Sequence, residues 1–126
     1  MNKNGYDINI INALKKLPLE MLNYNGHYVV VRDKARSNES GFEHIAKKSH
    51  GLQVRDIESI PSILLHPIYV CIDPNNKVHN NYYGTRKGKN NKGLLIKIVT
   101  KKVKNNIKCE QVVTIYITKS IKVDKN

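Results

Sequence analysis

Residues 94–118, LLIKIVTKKVKNNIKCEQVVTIYIT, alternate apolar and polar side chains on both sides of a polar turn. In the first half Leu94, Ile96 and Ile98 alternate with Leu95, Lys97 and Val99. In the second, Val113, Ile115 and Ile117 alternate with Thr114, Tyr116 and Thr118. Side chains two apart share a face of an extended chain, so this period predicts strands over Leu94–Val103 and Cys109–Thr118. Lys104-Asn105-Asn106 closes them into a hairpin. One face of that hairpin is apolar and needs a cover. The other carries hydroxyls and Lys97.

Working upstream, Ile68-Tyr69-Val70-Cys71-Ile72 is a third strand, ended by the turn residues Asp73-Pro74-Asn75-Asn76. Val78–Tyr83 is a further extended segment, and residues 84–93 form a glycine-rich basic loop. The cover comes from the first half of the chain. Ile10/Ile11, Leu14, Leu17 and Met21 recur at helical spacing within Ile8–Leu22, with Pro18 kinking or splitting the helix. Asn25-Gly26 turns the chain into the β-branched strand His27–Val31, and residues 32–40 read as a polar loop. Ser40-Gly41-Phe42-Glu43 has the Ser and Glu spacing of a capping box, predicting a helix over Gly41–Ser49 with Gly51 as its left-handed cap. Val54, Ile57, Ile60 and Leu64 extend a helical stripe through Pro61. The expected class is α+β, with helices packed on one face of a roughly four-stranded antiparallel sheet. Residues 1–126 are expected to form one domain, with 1–26 an N-terminal helix and turn and 27–120 the core.

The chain has 126 residues, 40% apolar and 25% charged, which fits a folded protein better than a disordered one. No apolar run approaches the roughly 18 residues of a membrane span, and the N-terminal Met1–Asp7 lacks the apolar stretch of a secretory signal. Cys71 and Cys109 lack zinc-site spacing and read as reduced thiols, although a cross-strand disulfide is geometrically open. The net charge of +12 is uneven. Residues 1–63 carry nine Lys/Arg against seven Asp/Glu, whereas residues 64–126 carry thirteen against three. Sixteen Asn and fifteen Ile suggest an A- and T-rich coding sequence, which accounts for part of the lysine content. It does not account for the scarcity of acids after Asp73. A polyanion, nucleic acid before anionic membrane, is the expected partner.

Three groups of residues carry candidate chemistry. The Thr114/Tyr116/Lys97 sheet face offers a hydroxyl, charge and a stacking ring, although the same residues serve a solvated strand equally well. His44, Lys47, Lys48 and His50 cluster on the short helix, with His44 sharing a side with the two lysines. Cleaving RNA without a metal needs one group to take the 2′-hydroxyl proton, another to protonate the departing 5′-oxygen, and cations around the phosphate. Histidine titrates in the right range for either proton role, and neighbouring lysines favour its neutral form. His27, His66 and His79 read as ordinary surface or core histidines. Tyr82-Tyr83-Gly84-Thr85-Arg86-Lys87 lets backbone approach a phosphate and supplies the forked guanidinium of Arg86, but it is not a Walker loop.

Taken in order, Phe42–Gly51, Ile57 to Pro61, Tyr82–Lys87 and Val112–Tyr116 resemble the phage-type branch of the barnase/EndoU/colicin/RelE-like nucleases. The likeness spans about residues 27–120. Members of that superfamily are metal-independent ribonucleases, often toxin or mobile-element domains. Their active residues line the open face of a four-stranded antiparallel sheet and the adjoining helix. The resemblance implies acid–base roles for His44 and His50, phosphate contacts from Lys47 or Lys48, Arg86 and Thr114, and Tyr116 beside them.

The expectation is therefore a small basic endoribonuclease acting on tRNA or another structured RNA, leaving a 2′,3′-cyclic phosphate. His44 is the first candidate for base, and His50 or Tyr116 for acid, with Lys48, Arg86 and Thr114 around the phosphate. Lys47, Tyr83, Lys87 and Lys97 are expected to bind RNA. No cofactor or metal is called for, and the free protein is expected to be a monomer acting in cytoplasm, whether made there or delivered as a toxin domain. An acidic immunity or antitoxin protein would complement its charge. The alternatives are a non-catalytic RNA- or DNA-binding module, a nuclease that needs the ribosome, and a member of the family without activity.

Overall fold

A computed structural model describes residues 5–34, 39–86 and 93–121. Helix α1 spans Ile8–Lys15; the Asp7 carboxylate caps it by accepting from the Asn9 amide at 2.9 Å. Ile10, Ile11, Ala13 and Leu14 form its buried stripe. Pro18 ends the helix instead of bending it. The expected second half of the helix is strand β1, Glu20–Leu22, with Met21 inward and its neighbours outward. Asn23 makes the following turn, its side-chain oxygen accepting from the amides of Asn25 and His27. Gly26 sits at φ 77°, a left-handed conformation that disfavours a side chain. Strand β2, Tyr28–Val30, then pairs antiparallel with β1.

Helix α2, Gly41–Ile45, starts with the expected capping box: Ser40 Oγ accepts from the Glu43 amide, and Glu43 accepts from the Ser40 amide. The helix is shorter than its sequence suggests. It passes at Ala46 into a single 3-10 turn over Lys48–His50, closed by Gly51 at φ 72°. The apolar stripe after it is split between α3, Val54–Glu58, and α4, Ile60–Leu65, with Pro61 in the first turn of α4.

The remaining strands are β3 (Tyr69–Asp73), β4 (Asn76–Thr85), β5 (Leu95–Val103) and β6 (Asn106–Thr118). The sheet has six strands in the order β1-β2-β6-β5-β4-β3, not the four expected. The strands from β3 to β6 are antiparallel, but β2 lies parallel to β6, so the whole is a mixed sheet. A parallel pair needs a long crossover, supplied here by everything between Val30 and Asn106.

The helices share one hydrophobic core with the sheet. Ile10, Leu14, Ile57, Ile60 and Leu64 meet Tyr82, Ile96, Ile98 and Ile115 there. The period-two reading holds on β5 but slips on β6. Val99 pairs with Thr114 and Thr100 with Val112, a register shift that puts Val112 in the core where unbroken alternation puts Val113. Beneath the β1–β2 turn the buried Glu110 carboxylate accepts from Thr100 (2.6 Å), Tyr82 (2.7 Å) and Asn23 (3.1 Å), tying that hairpin to the main sheet. No disulfide joins Cys71 and Cys109, which lie on β3 and β6 with two strands between them. No helix among the described residues is long and apolar enough to cross a membrane.

Candidate active site

The face of the sheet away from the helices carries a row formed by strand register. Tyr69 of β3 lies beside Tyr83 of β4, Tyr83 beside Lys97 of β5, and Lys97 beside Tyr116 of β6. Past β6, the row continues into the 3-10 turn and α2, which pack against that strand. The His50 ring meets Tyr116 edge-on at 5.9 Å between centroids, and the His44 ring meets His50 edge-on at 5.0 Å. Residues 44, 50, 97 and 116 are thus brought into one chain of contacts.

Both histidines are held by Nδ1. His50 Nδ1 lies 2.7 Å from the carbonyl oxygen of Ile115. A carbonyl only accepts, so Nδ1 carries the hydrogen, and the lone pair of the neutral ring is on Nε2. His44 Nδ1 lies 3.0 Å from Glu39 Oε1, with the same consequence. Glu39 also takes Lys47 Nζ at 3.1 Å and the Tyr6 hydroxyl at 3.0 Å. Desolvation raises the Glu39 carboxyl, but the hydrogen bonds from His44, Lys47 and Tyr6 outweigh it and hold the carboxyl below its ordinary value. Burial is the main influence on His50 and lowers its pKa. The Ile115 carbonyl pulls upward, and His44 and Lys47 add to the lowering.

Lys97 is only 7% exposed, with its ammonium 5.0 Å from the Tyr116 ring centroid and 5.8 Å from that of Tyr83. None of the ion pairs among the described residues includes it. Desolvation works to lower its pKa, but Tyr116, Tyr83 and Asp73 overcome that and raise it, so the buried ammonium stays charged near neutrality. Thr114, on the same face two residues before Tyr116, has a buried hydroxyl with no hydrogen bond among the described residues.

The other candidates lie elsewhere or are already engaged. Arg86 is bound to Asp56 through Nε at 3.1 Å and Nη2 at 2.6 Å, with side chains 7% and 1% exposed. Its Nη2 also donates to the carbonyl of Gly51, the residue after His50. Its guanidinium therefore fastens the end of the histidine turn to β4 and α3 and has no fork left for a phosphate. Lys48 is exposed and lines a separate cleft with Asp7, Asn9 and Gln53. Lys47 reaches the site through Glu39. Lys87 lies outside the described residues.

Glu39, Tyr6 and Asp56 are members of this arrangement that the sequence reading missed. Glu39 lies five residues before His44, a spacing with no helical or strand meaning, although it is the one acid immediately preceding the cap. Tyr6 and Asp56 come from 33 and 30 residues away from their partners, and nothing local marks them. Comparison of the chain with protein-family models, curated proteins and solved structures returns no match.

Proposed function

We propose that this protein is a metal-independent endoribonuclease of the barnase/EndoU/colicin/RelE-like kind, with His44 and His50 as its proton-transfer pair. The observation that supports this most directly is the pair of imidazoles 5.0 Å apart, each anchored at Nδ1 and each keeping Nε2 for chemistry. Two groups with separate protonation preferences are what transesterification at a ribose phosphate requires.

His50, kept neutral by burial, takes the proton from the 2′-hydroxyl. The 2′-oxygen bonds to phosphorus and the bond from phosphorus to the 5′-oxygen breaks. His44 gives its Nε2 proton to that departing oxygen, while the Glu39 carboxylate balances the charge the ring carries beforehand. The products are a 2′,3′-cyclic phosphate and a 5′-hydroxyl. This reverses the first choice made from sequence, because the lowered pKa belongs to His50. Lys97 supplies the positive charge for the pentacoordinate phosphate, Thr114 adds a neutral donor, and Tyr116 keeps the lysine and His50 in register. Removing one such preorganised charge stabiliser costs about 10²–10³ in rate. RNA with unpaired segments, tRNA included, is the substrate class this chemistry fits, and an acidic inhibitor would cover the cationic surface.

The test is cleavage of total tRNA in EDTA by wild type and by His44→Ala and His50→Ala. Wild type is expected to cut, and each alanine variant to lose at least about 10²-fold. Because His50 must be neutral to act, the acid-side fall of kcat/KM should lie below the ordinary histidine value of about 6.5. Chelator-abolished cleavage, an active alanine variant, or RNA binding without product contradicts the reading.

A further inference from the structure

A further concavity is built on the same α2 and β6 that carry the proposed site. It is a cavity of about 500 Å³ between the segment leaving β2, helix α2, the end of β5 and the middle of β6. Arg32, Lys34, Lys101, Lys102 and Lys104 line it. None of these five cations takes part in an ion pair among the described residues. The acids of the same segments are engaged elsewhere: Asp33 accepts from the Phe42 amide, Glu43 from the Ser40 amide, and Glu110 from Thr100, Tyr82 and Asn23. The floor is apolar, made by Ile45, Val103 and Val112.

Its position matters as much as its charge. Ile45 follows His44 in α2, and Val113, also in the lining, precedes Thr114 in β6. One strand residue advances the chain about 3.3 Å. The cavity therefore shares α2 and β6 with the proposed cleavage centre. The register shift between β5 and β6 falls at the same place, between Val99 and Thr100.

We propose that this cavity is a binding subsite for unpaired RNA flanking the scissile phosphate. The cations hold successive phosphates, and the apolar floor receives a base. Calling the phosphate scissile rests on the endoribonuclease reading; the binding of single-stranded RNA here does not. Charge alone fits any polyanion, but an apolar floor of this size inside a cationic rim fits a chain that alternates phosphates with flat rings.

The experiment measures binding of a uridine hexanucleotide by fluorescence anisotropy. The full-length His44→Ala/His50→Ala protein is used, so that no cleavage intervenes. In that background, Lys101→Ala/Lys104→Ala is compared with Lys15→Ala/Lys16→Ala, which removes the same charge at the end of α1. Circular dichroism checks that all variants are folded. The cavity variant should bind about tenfold more weakly, and its slope of log K against log salt should be shallower by about 1.4, or about 0.7 per lost single-strand phosphate contact. The α1 variant should retain both. Inorganic polyphosphate of equal charge should bind more weakly than the RNA, and Val103→Ser should narrow that difference.

An unchanged slope in the cavity variant overturns the proposal, as does equal loss in the α1 variant. Binding of polyphosphate or polyglutamate as tight as that of RNA overturns it too, and would mark the surface for an acidic partner protein. If wild type cleaves nothing while the cavity variant shows the expected loss, the catalytic reading falls and the subsite stands. If wild type cleaves RNA while the slope is unaffected, the subsite falls and the catalytic reading stands.

Discussion

Lys97 and Arg86 show how similar cations come to serve opposite ends. Both are 7% exposed, Arg86 in its side chain and Lys97 as a whole residue, but Arg86 has a carboxylate against it and Lys97 has aromatic rings. A buried ion pair contributes little net stability, yet removing one member strands the other. Arg86→Ala and Asp56→Ala should therefore each destabilise the fold by about 3–5 kcal/mol in urea unfolding. The Arg86→Met/Asp56→Leu double variant should recover most of that. If Arg86→Ala were fully stable, its assignment as a structural tether of Gly51 would be wrong. Thr114 makes the converse case, since its buried hydroxyl makes no hydrogen bond among the described residues. Thr114→Val should raise stability by about 1 kcal/mol, because an unsatisfied hydroxyl is costly to bury. The same substitution should lower kcat by about 10²-fold or more, the scale of a single removed donor. A variant that gains stability and keeps its full turnover would take Thr114 out of the site. The sequence reading puts Arg86 and Thr114 around the phosphate and Lys97 among the RNA contacts, without sight of what faces each. Their roles depend on what sits opposite, and Asp56 is 30 residues from Arg86.

Among helices and turns, local sequence signals mark the features that local interactions fix. Ser40 and Glu43 cap α2 within four residues, Gly51 closes the turn that carries His50, and Asn105 at φ 67° bends the β5–β6 hairpin. Helices are shorter than their apolar spacing suggests. The Gly41–Ser49 stretch has the apolar spacing of a continuous helix, but Tyr6 bridges to Lys47 and the chain tightens into a 3-10 turn. That break lets His50 turn back onto β6. Close packing between α4 and β4 fixes the other side of the fold. A Cβ added at Gly84 would lie 2.5 Å from Ile63 Cγ1. Gly84→Ala should cost about 1–3 kcal/mol in thermal or urea unfolding, the usual scale of overpacking. Ile63→Ala in the same chain should return part of it. An additive loss in the double variant would show that the two residues do not meet.

For the molecule as a whole, the α+β class and the packing of helices on one sheet face followed from the alternation in residues 94–118. The six-strand order did not. The β1–β2 hairpin reaches β6 by a parallel pairing between Tyr28–Val30 and Cys109–Gln111, about 80 residues apart, and β1 has only three residues. Strands that short leave almost no periodicity, and a non-local pairing leaves no trace in either segment. The charge imbalance between the halves was legible. Its use was not, because the folded chain joins Arg32 and Lys34 of the nearly neutral half to Lys101, Lys102 and Lys104 of the basic half. The histidine cluster was legible as a cluster, and the anchoring of each Nδ1 emerged only with Glu39 and Ile115 in place. The central claim is attack by a ribose 2′-oxygen under acid–base control, and one substrate pair tests it. An RNA oligonucleotide that wild-type protein cleaves in EDTA is remade with a single 2′-deoxy sugar at the nucleotide 5′ to the cut. The parent should yield a 2′,3′-cyclic phosphate by mass spectrometry, and the deoxy oligonucleotide should stay intact at that bond. Cleavage of the deoxy substrate at the same position would contradict it.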